Sequence, residues 1–219
     1  MSRVLTRIDH VTIGARNLDE GIDAYRRIGF DVDDHGAAFA EDDGLVLVGG
    51  GEGLRSIALR SDDGTFARAP AQWIDIVPHR PVPARRHPNR VQRIERVYIA
   101  VTDLAAAVEK VRSALGFAEP KMERGTVIDA DMAIFQLGTT GLGLAQPAGP
   151  GVCADALRSR GPGPFQVLFR TGSMDAAAKW IADHGVPPPK RGVRNTGEQA
   201  MLVTPEHACG VYIGFVGPA

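Results

Sequence analysis

The sequence predicts an α+β protein built from repeated modules, each a strand, a helix and then several strands. Three observations carry this. A short apolar run, a helix cap, an amphipathic helix and a glycine stop recur together three times. Short strand-like runs with glycine turns follow each helix. Between the first two copies lies a fragment of a fourth that begins like a first strand but has no helix after it. No single unit of this kind buries both faces of its sheet, so the units must pair.

The first copy opens at Ile8-Asp-His-Val-Thr-Ile-Gly-Ala. Its helix is read from Leu18, Ile22, Tyr25 and Ile28 at helical spacing, with Asn17 and Glu20 as a capping-box variant and Gly29 as the left-handed stop. In the next full copy Leu104, Val108, Val111 and Leu115 form the stripe and Gly116 stops it. In the last, Met174, Ala178 and Ile181 do so, before Gly185. Strands are predicted at 37–40 and 44–48, at 132–137 and 141–146, and at 199–203 and 210–216. The shortened copy runs from Leu54 through Trp73-Ile-Asp-Ile-Val77. It ends in an Arg- and Pro-rich stretch, 79–89, read as an exposed connector. Trp73 and Trp180 are read as core, Trp73 with the option of closing one end of a pocket.

The chain has 219 residues, 25 basic and 26 acidic, for a net charge of -1. That balance lacks the footprint of a nucleic-acid binder. No run of apolar residues is long enough to cross a membrane. No targeting segment is read at the N-terminus, and Cys153 and Cys209 are too few for a disulfide framework, so a cytoplasmic, bacterial-type protein is expected.

Ile8-Asp-His-Val-Thr-Ile-Gly-Ala with Leu18-Asp-Glu-Gly-Ile resembles the opening of vicinal oxygen chelate proteins, the superfamily of glyoxalases, bleomycin-resistance proteins, methylmalonyl-CoA epimerase and extradiol dioxygenases. Thr204-Pro-Glu-His-Ala-Cys-Gly-Val-Tyr-Ile-Gly-Phe resembles its closing strand. His87-Pro-Asn, followed by Arg93-Ile-Glu-Arg-Val-Tyr-Ile-Ala-Val, resembles the junction in its two-domain glyoxalase-like branch. The resemblance implies βαβββ modules paired into two curled mixed sheets around cavities, here with the second module shortened. Residues 1–90 would form an N-terminal half, module 1 plus the shortened module 2 and the linker. Residues 91–219 would form a C-terminal half, modules 3 and 4.

The resemblance also implies a divalent metal, held by His, Gln and Glu on first and last strands. Aligning the first strands puts His10, Leu54, Arg96 and Gln166 in one column. Aligning the last puts Val46, Gly143 and Gly214 where the superfamily carries Glu. Only His10 and Gln166 could coordinate, and they are assigned to different module pairs. Arg96 would repel a cation. A metal needs three or four ligands in one shell, so no cofactor is expected; His79, His87 and Glu206-His207 match no tight metal motif.

What remains is a pocket for an oxygen-rich or anionic small molecule. His10 is the candidate acid or base, with Arg96 and Tyr98 stabilising an oxyanion. Thr12, Gln166 and Trp73 are candidate substrate-binding residues. Each has a plainer reading: His10 as an inert hydrogen-bonded relic, Arg96 paired with Glu95 or Glu123, Tyr98 as packing. The favoured function is metal-independent proton transfer on a carbonyl compound by an isomerase, lyase or cyclase. The alternatives are a protein that sequesters a drug or natural product and a metal-dependent lyase or ring-cleaving dioxygenase. A homodimer is expected if the shortened module leaves a bare sheet edge.

Overall fold

The computed structural model describes residues 5–194 and 196–218, without the side chains of Ala69 and Pro70. Met1–Val4, part of the stretch read for targeting signals, lie outside the described residues. The architecture is mixed α+β: among the described residues there are four α-helices and fourteen strands, in two curled mixed sheets. Module 1 comprises β1 (Leu5–Gly14), α1 (Leu18–Ile28), β2 (Ala37–Phe39) and β3 (Gly44–Val48). The shortened module is β4 (Gly53–Ser61), β5 (Ala67–Ala71) and β6 (Ile74–Pro78), with no helix. Module 3 is β7 (Val91–Ala100), α2 (Leu104–Leu115), β8 (Lys121–Gly125), β9 (Ala130–Leu137) and β10 (Thr140–Pro147). A linking helix, α3 (Val152–Arg160), leads to module 4: β11 (Gly163–Thr171), α4 (Met174–Asp183), β12 (Lys190–Val193), β13 (Gln199–Val203) and β14 (Tyr212–Gly217).

Strand order is β2-β3-β1-β4-β6-β5 in one sheet and β12-β13-β14-β11-β7-β10-β9-β8 in the other. One pairing rule runs through all four modules. The first strand lies parallel to the last, as in β1 with β3, β4 with β6, β7 with β10 and β11 with β14. The last lies antiparallel to the one before it. The repeat read from sequence is thus a repeat of topology.

The three module helices, α1, α2 and α4, each begin on a side-chain cap. Asn17 Oδ1 accepts from the Asp19 and Glu20 amides, Asp103 caps α2 through Ala106, and Ser173 caps α4 through Ala176. His10, Arg96 and Gln166 each stand seven residues before these caps. Gly29 and Gly116 close α1 and α2 in the left-handed conformation. In α4 the buried stripe is Met174, Ala177 and Ile181, one position off the expected Ala178. The predicted strands missed β8 and β12, whose side chains are mostly exposed and carry no apolar alternation.

The chain divides into two compact units. One holds Met1–Asp9, Ser56–Arg80 and Arg96–Phe165; the other holds His10–Arg55, Pro81–Glu95 and Gln166–Ala219. In the first unit α2 packs against β5, the outer strand left by the shortened module. In the second, Phe30 is the core hub, its ring centroid 4.9 Å from Phe169 and 6.2 Å from Phe215. The expected exposed connector is exposed only over its first half. His87 and Asn89 are buried: His87 Nδ1 accepts from the Asp31 amide at 3.0 Å and Asn89 Nδ2 donates to the Ile28 carbonyl at 3.2 Å. Trp180, read as core, is part-exposed; its Nε1 donates to the Arg26 carbonyl and its ring stacks on His184 at 3.9 Å.

Candidate functional site

The six residues singled out from sequence divide evenly between the units. Arg96, Tyr98 and Trp73 belong to the first, and His10, Thr12 and Gln166 to the second. His10 and Gln166, assigned from sequence to different module pairs, therefore fall in one unit. The reason is topological: this unit draws on modules 1 and 4, not on consecutive modules.

In the first unit, strand alternation places Arg96 and Tyr98 on one face of β7. The parallel register sets Gly141 beside Arg96 and Gly143 beside Tyr98. These two glycines of β10 leave room for both side chains to lie across the strand. A β-carbon on Gly141 would sit 3.4 Å from Arg96 Nε, and one on Gly143 would meet Tyr98 Cδ1 at 2.7 Å. Arg96 Nη1 donates to the Tyr98 hydroxyl at 3.3 Å, and the guanidinium carbon lies 5.8 Å from the phenol ring centroid. The same Nη1 stands 3.5 Å from Glu123 Oε1, a long ion pair with both side chains largely enclosed. Arg96 Nε is buried, and among the described residues no acceptor reaches it. The Phe165 ring centroid is 6.4 Å from that of Tyr98. Trp73 sits in the β5–β6 turn at φ 66, a conformation rare for so bulky a residue. Its ring lies 3.5 Å from where a β-carbon on Gly163 would be, so it flanks the strand that carries Phe165.

In the second unit, His10 and Thr12 share a face of β1, opposite Gly44 and Val46 of β3. The His10 ring stands edge-on to Phe39 at 6.1 Å. Gln166 pairs with Tyr212, and Leu168 with Gly214. A cluster of charges lies in the same unit. Arg170 holds Glu95 through two hydrogen bonds, 2.9 and 3.3 Å, and Glu198 through a third at 2.8 Å. Arg93 lies 2.8 Å from Glu95 and Arg194 3.0 Å from Glu198. Burial works to raise the Glu95 carboxyl, but the Arg170 hydrogen bonds and the Arg93, Arg170 and Arg194 charges outweigh it and hold it low.

The fold implies a divalent cation at the first- and last-strand positions. These residues do not fit one. At Gly143 the space for a carboxylate is taken by the Tyr98 ring, and at Gly214 by Leu168 Cδ1, 2.6 Å from a built β-carbon. Arg96 brings a permanent positive charge to the corresponding first-strand position. Among the described residues no group of three or more His, Cys, Asp or Glu is placed to hold a metal ion.

Sequence reading named Glu123 only as an ion-pair partner. Its strand lacks periodicity, and the Gly-Leu-Gly-Leu run 141–144 was the available sign that side chains cross β10.

Residues 95–203 match the model of the Glyoxalase/Bleomycin resistance protein/Dioxygenase superfamily. No curated protein matches the chain. Methylmalonyl-CoA epimerase from Mycobacterium tuberculosis is 28% identical over 59% of this chain and 90% of its own, with a TM-score of 0.52. A variant of the Streptomyces coelicolor epimerase in complex with 2-nitronate-propionyl-CoA is 28% identical over 59% of this chain and 96% of its own, also at 0.52. A xylose isomerase-like TIM barrel/4-hydroxyphenylpyruvate dioxygenase fusion protein covers 99% of this chain with 49% of its own, at a TM-score of 0.67. Its 13% identity makes that a likeness of fold alone. With its repeated modules, their common pairing rule and this family match, residues 95–203 of the chain belong to the glyoxalase/bleomycin resistance/dioxygenase superfamily.

Proposed function

We propose that the protein is a metal-independent proton-transfer enzyme, an isomerase acting on an oxygen-rich carbonyl compound at the Arg96–Tyr98–Glu123 cluster. The observation that carries the reading is the buried Arg96 Nε–H without an acceptor. A guanidinium donor left unsatisfied in an enclosed place costs about 1–3 kcal/mol or more, which a bound oxygen recovers. Arg96 thus supplies the positive charge that the fold elsewhere obtains from a cation.

The chemistry follows from the three groups. Substrate carbonyl oxygen accepts from Arg96 Nε and from the Tyr98 hydroxyl, whose oxygen already accepts from Arg96 and whose O–H is left to donate. The Glu123 carboxylate removes the proton from the carbon next to that carbonyl. The C–H electron pair moves into the new C=C bond, and the oxygen takes the negative charge between two donors. The proton on Glu123 exchanges with solvent, and its return to the same carbon after the planar enolate has turned over, or to a neighbouring carbon, completes an isomerisation with no redox change. Trp73 and Phe165 form the apolar flank. The step as drawn uses groups of one unit only and assigns His10 no part.

The kinship with methylmalonyl-CoA epimerases supports proton transfer next to a thioester carbonyl as one form of this reaction. The test is deuterium exchange into methylmalonyl-CoA and into simple β-keto acids in D2O, followed by NMR, with chelator-treated protein. Exchange that survives chelation and falls about 10²–10⁴-fold in Glu123→Gln is expected. Arg96→Met should abolish binding. Exchange lost on chelation and restored by a divalent ion would overturn the reading. Tight binding that returns unexchanged ligand would instead establish a sequestering protein.

A further inference from the structure

We infer a second small-molecule site in the other compact unit, at Gln166, that takes a neutral ligand through its hydrogen-bond donor. Gln166 stands seven residues before its helix cap, as Arg96 does, so the two occupy equivalent places in modules 4 and 3. Their hydrogen-bonding polarity is opposite. Gln166 is 3% exposed, and its Oε1 is a buried acceptor that no donor reaches among the described residues. Orphaned amide oxygens of this kind are uncommon in folded proteins and point to a bound partner.

The local packing says which end of the amide is available. Gly214, on the last strand, has no side chain, and Nε2 of Gln166 lies 3.2 Å from where its β-carbon would be. The nitrogen end is therefore laid over the glycine and the oxygen end is the one left to a ligand. Leu168, on the same face of β11 by alternation, closes on Gly214 and makes the floor apolar. An amide oxygen on an apolar floor accepts from an N–H or O–H of an uncharged group. It gives nothing to a carboxylate, which has no donor. The first unit takes an oxygen acceptor and the second a donor, so the two sites select different ligands or different ends of different ligands.

The experiment is NMR titration of the isotope-labelled full chain with acetamide and, separately, with N,N-dimethylacetamide. The two probes differ in their N–H donors. Expected are saturable shifts at the Gln166 side-chain amide and the Gly214 backbone with acetamide, at least fivefold weaker with the dimethyl probe, and lost in Gln166→Met. Gln166→Leu serves as a second apolar variant if Met perturbs the strand. Gly141 and Gly143 should stay unshifted, which separates this site from the Arg96 cluster. Equal response to both probes, shifts retained in the apolar variants, or a crystal structure with only an ordered water on Oε1 after soaking in acetamide would overturn the inference. None of these outcomes bears on exchange at Glu123.

Discussion

The Tyr98 ring lies over Gly143 so closely that a β-carbon there would stand 2.7 Å from Cδ1 and 2.9 Å from Cε1. Contact at that range forces something to move. The ring is 5% exposed and bounded by Ile134, whose Cδ1 would also come within 3.1 Å. Gly143→Ala should therefore destabilise by about 1–3 kcal/mol, the cost of overpacking a filled site. It should also displace Tyr98 from Arg96. Urea denaturation reads the first effect and ligand affinity the second.

The same relationship bears on metal chemistry. Gly143→Glu restores the residue type of the superfamily at this position, but the Tyr98 ring fills the space, and Arg96 stands two residues along, opposite Gly141. Titration calorimetry with Mn²⁺ and Co²⁺ should show no saturable binding to this variant. Stoichiometric uptake would show that the ring yields and that the cluster still supports a metal.

A third expectation concerns acid. Burial pushes the His87 imidazole down to about 4, with Arg85 adding to the effect and Asp31 opposing it. Near neutral pH the ring is uncharged in both folded and unfolded chains and contributes nothing to the pH slope. Below about 6.5 the unfolded chain binds the proton first, so stability falls until the folded ring titrates as well. The loss should reach about 2.5 kcal/mol at pH 4.5. His87→Asn keeps an acceptor for the Asp31 amide and cannot titrate. Its denaturation free energy should fall less than that of the natural chain between pH 7 and 4.5, by that amount.

Glu95 predicts the complementary pattern. Its carboxyl is held low by Arg170, Arg93 and Arg194 against the opposing effect of burial. Its contribution is complete above the ordinary carboxylate range and is lost as pH falls through the depressed value. Glu95→Gln should cost about 2 kcal/mol at pH 7, the scale of a charged hydrogen-bonded pair. The gap should close in acid, once pH has fallen through the depressed value and the natural side chain is itself neutral. A gap that persists in acid would assign the residue to packing.

The fold was legible wherever a local pattern and the tertiary structure wanted the same thing. Asn17, Asp103 and Ser173 cap their helices because short polar side chains reach backbone amides in any context. The first strands of the three full modules are visible as apolar runs set shortly before a helix cap. β8 and β12 were not visible, since an outer strand with mostly exposed side chains has no alternation to read. Glu123 was named only as a possible ion-pair partner of Arg96, because its strand, β8, was not visible. His87 was hidden because a histidine beside prolines and arginines looks like connector until Phe30 is packed against it.

By itself the sequence determined the modules, their caps and the loss of acidic residues from the closing strands, because these are properties of residues near one another in the chain. Only the tertiary structure decided which modules share a unit, and that Glu123 on β8 is brought beside Arg96. Pairing depends on which apolar faces cover each other across long stretches of chain, and no local spacing encodes that choice.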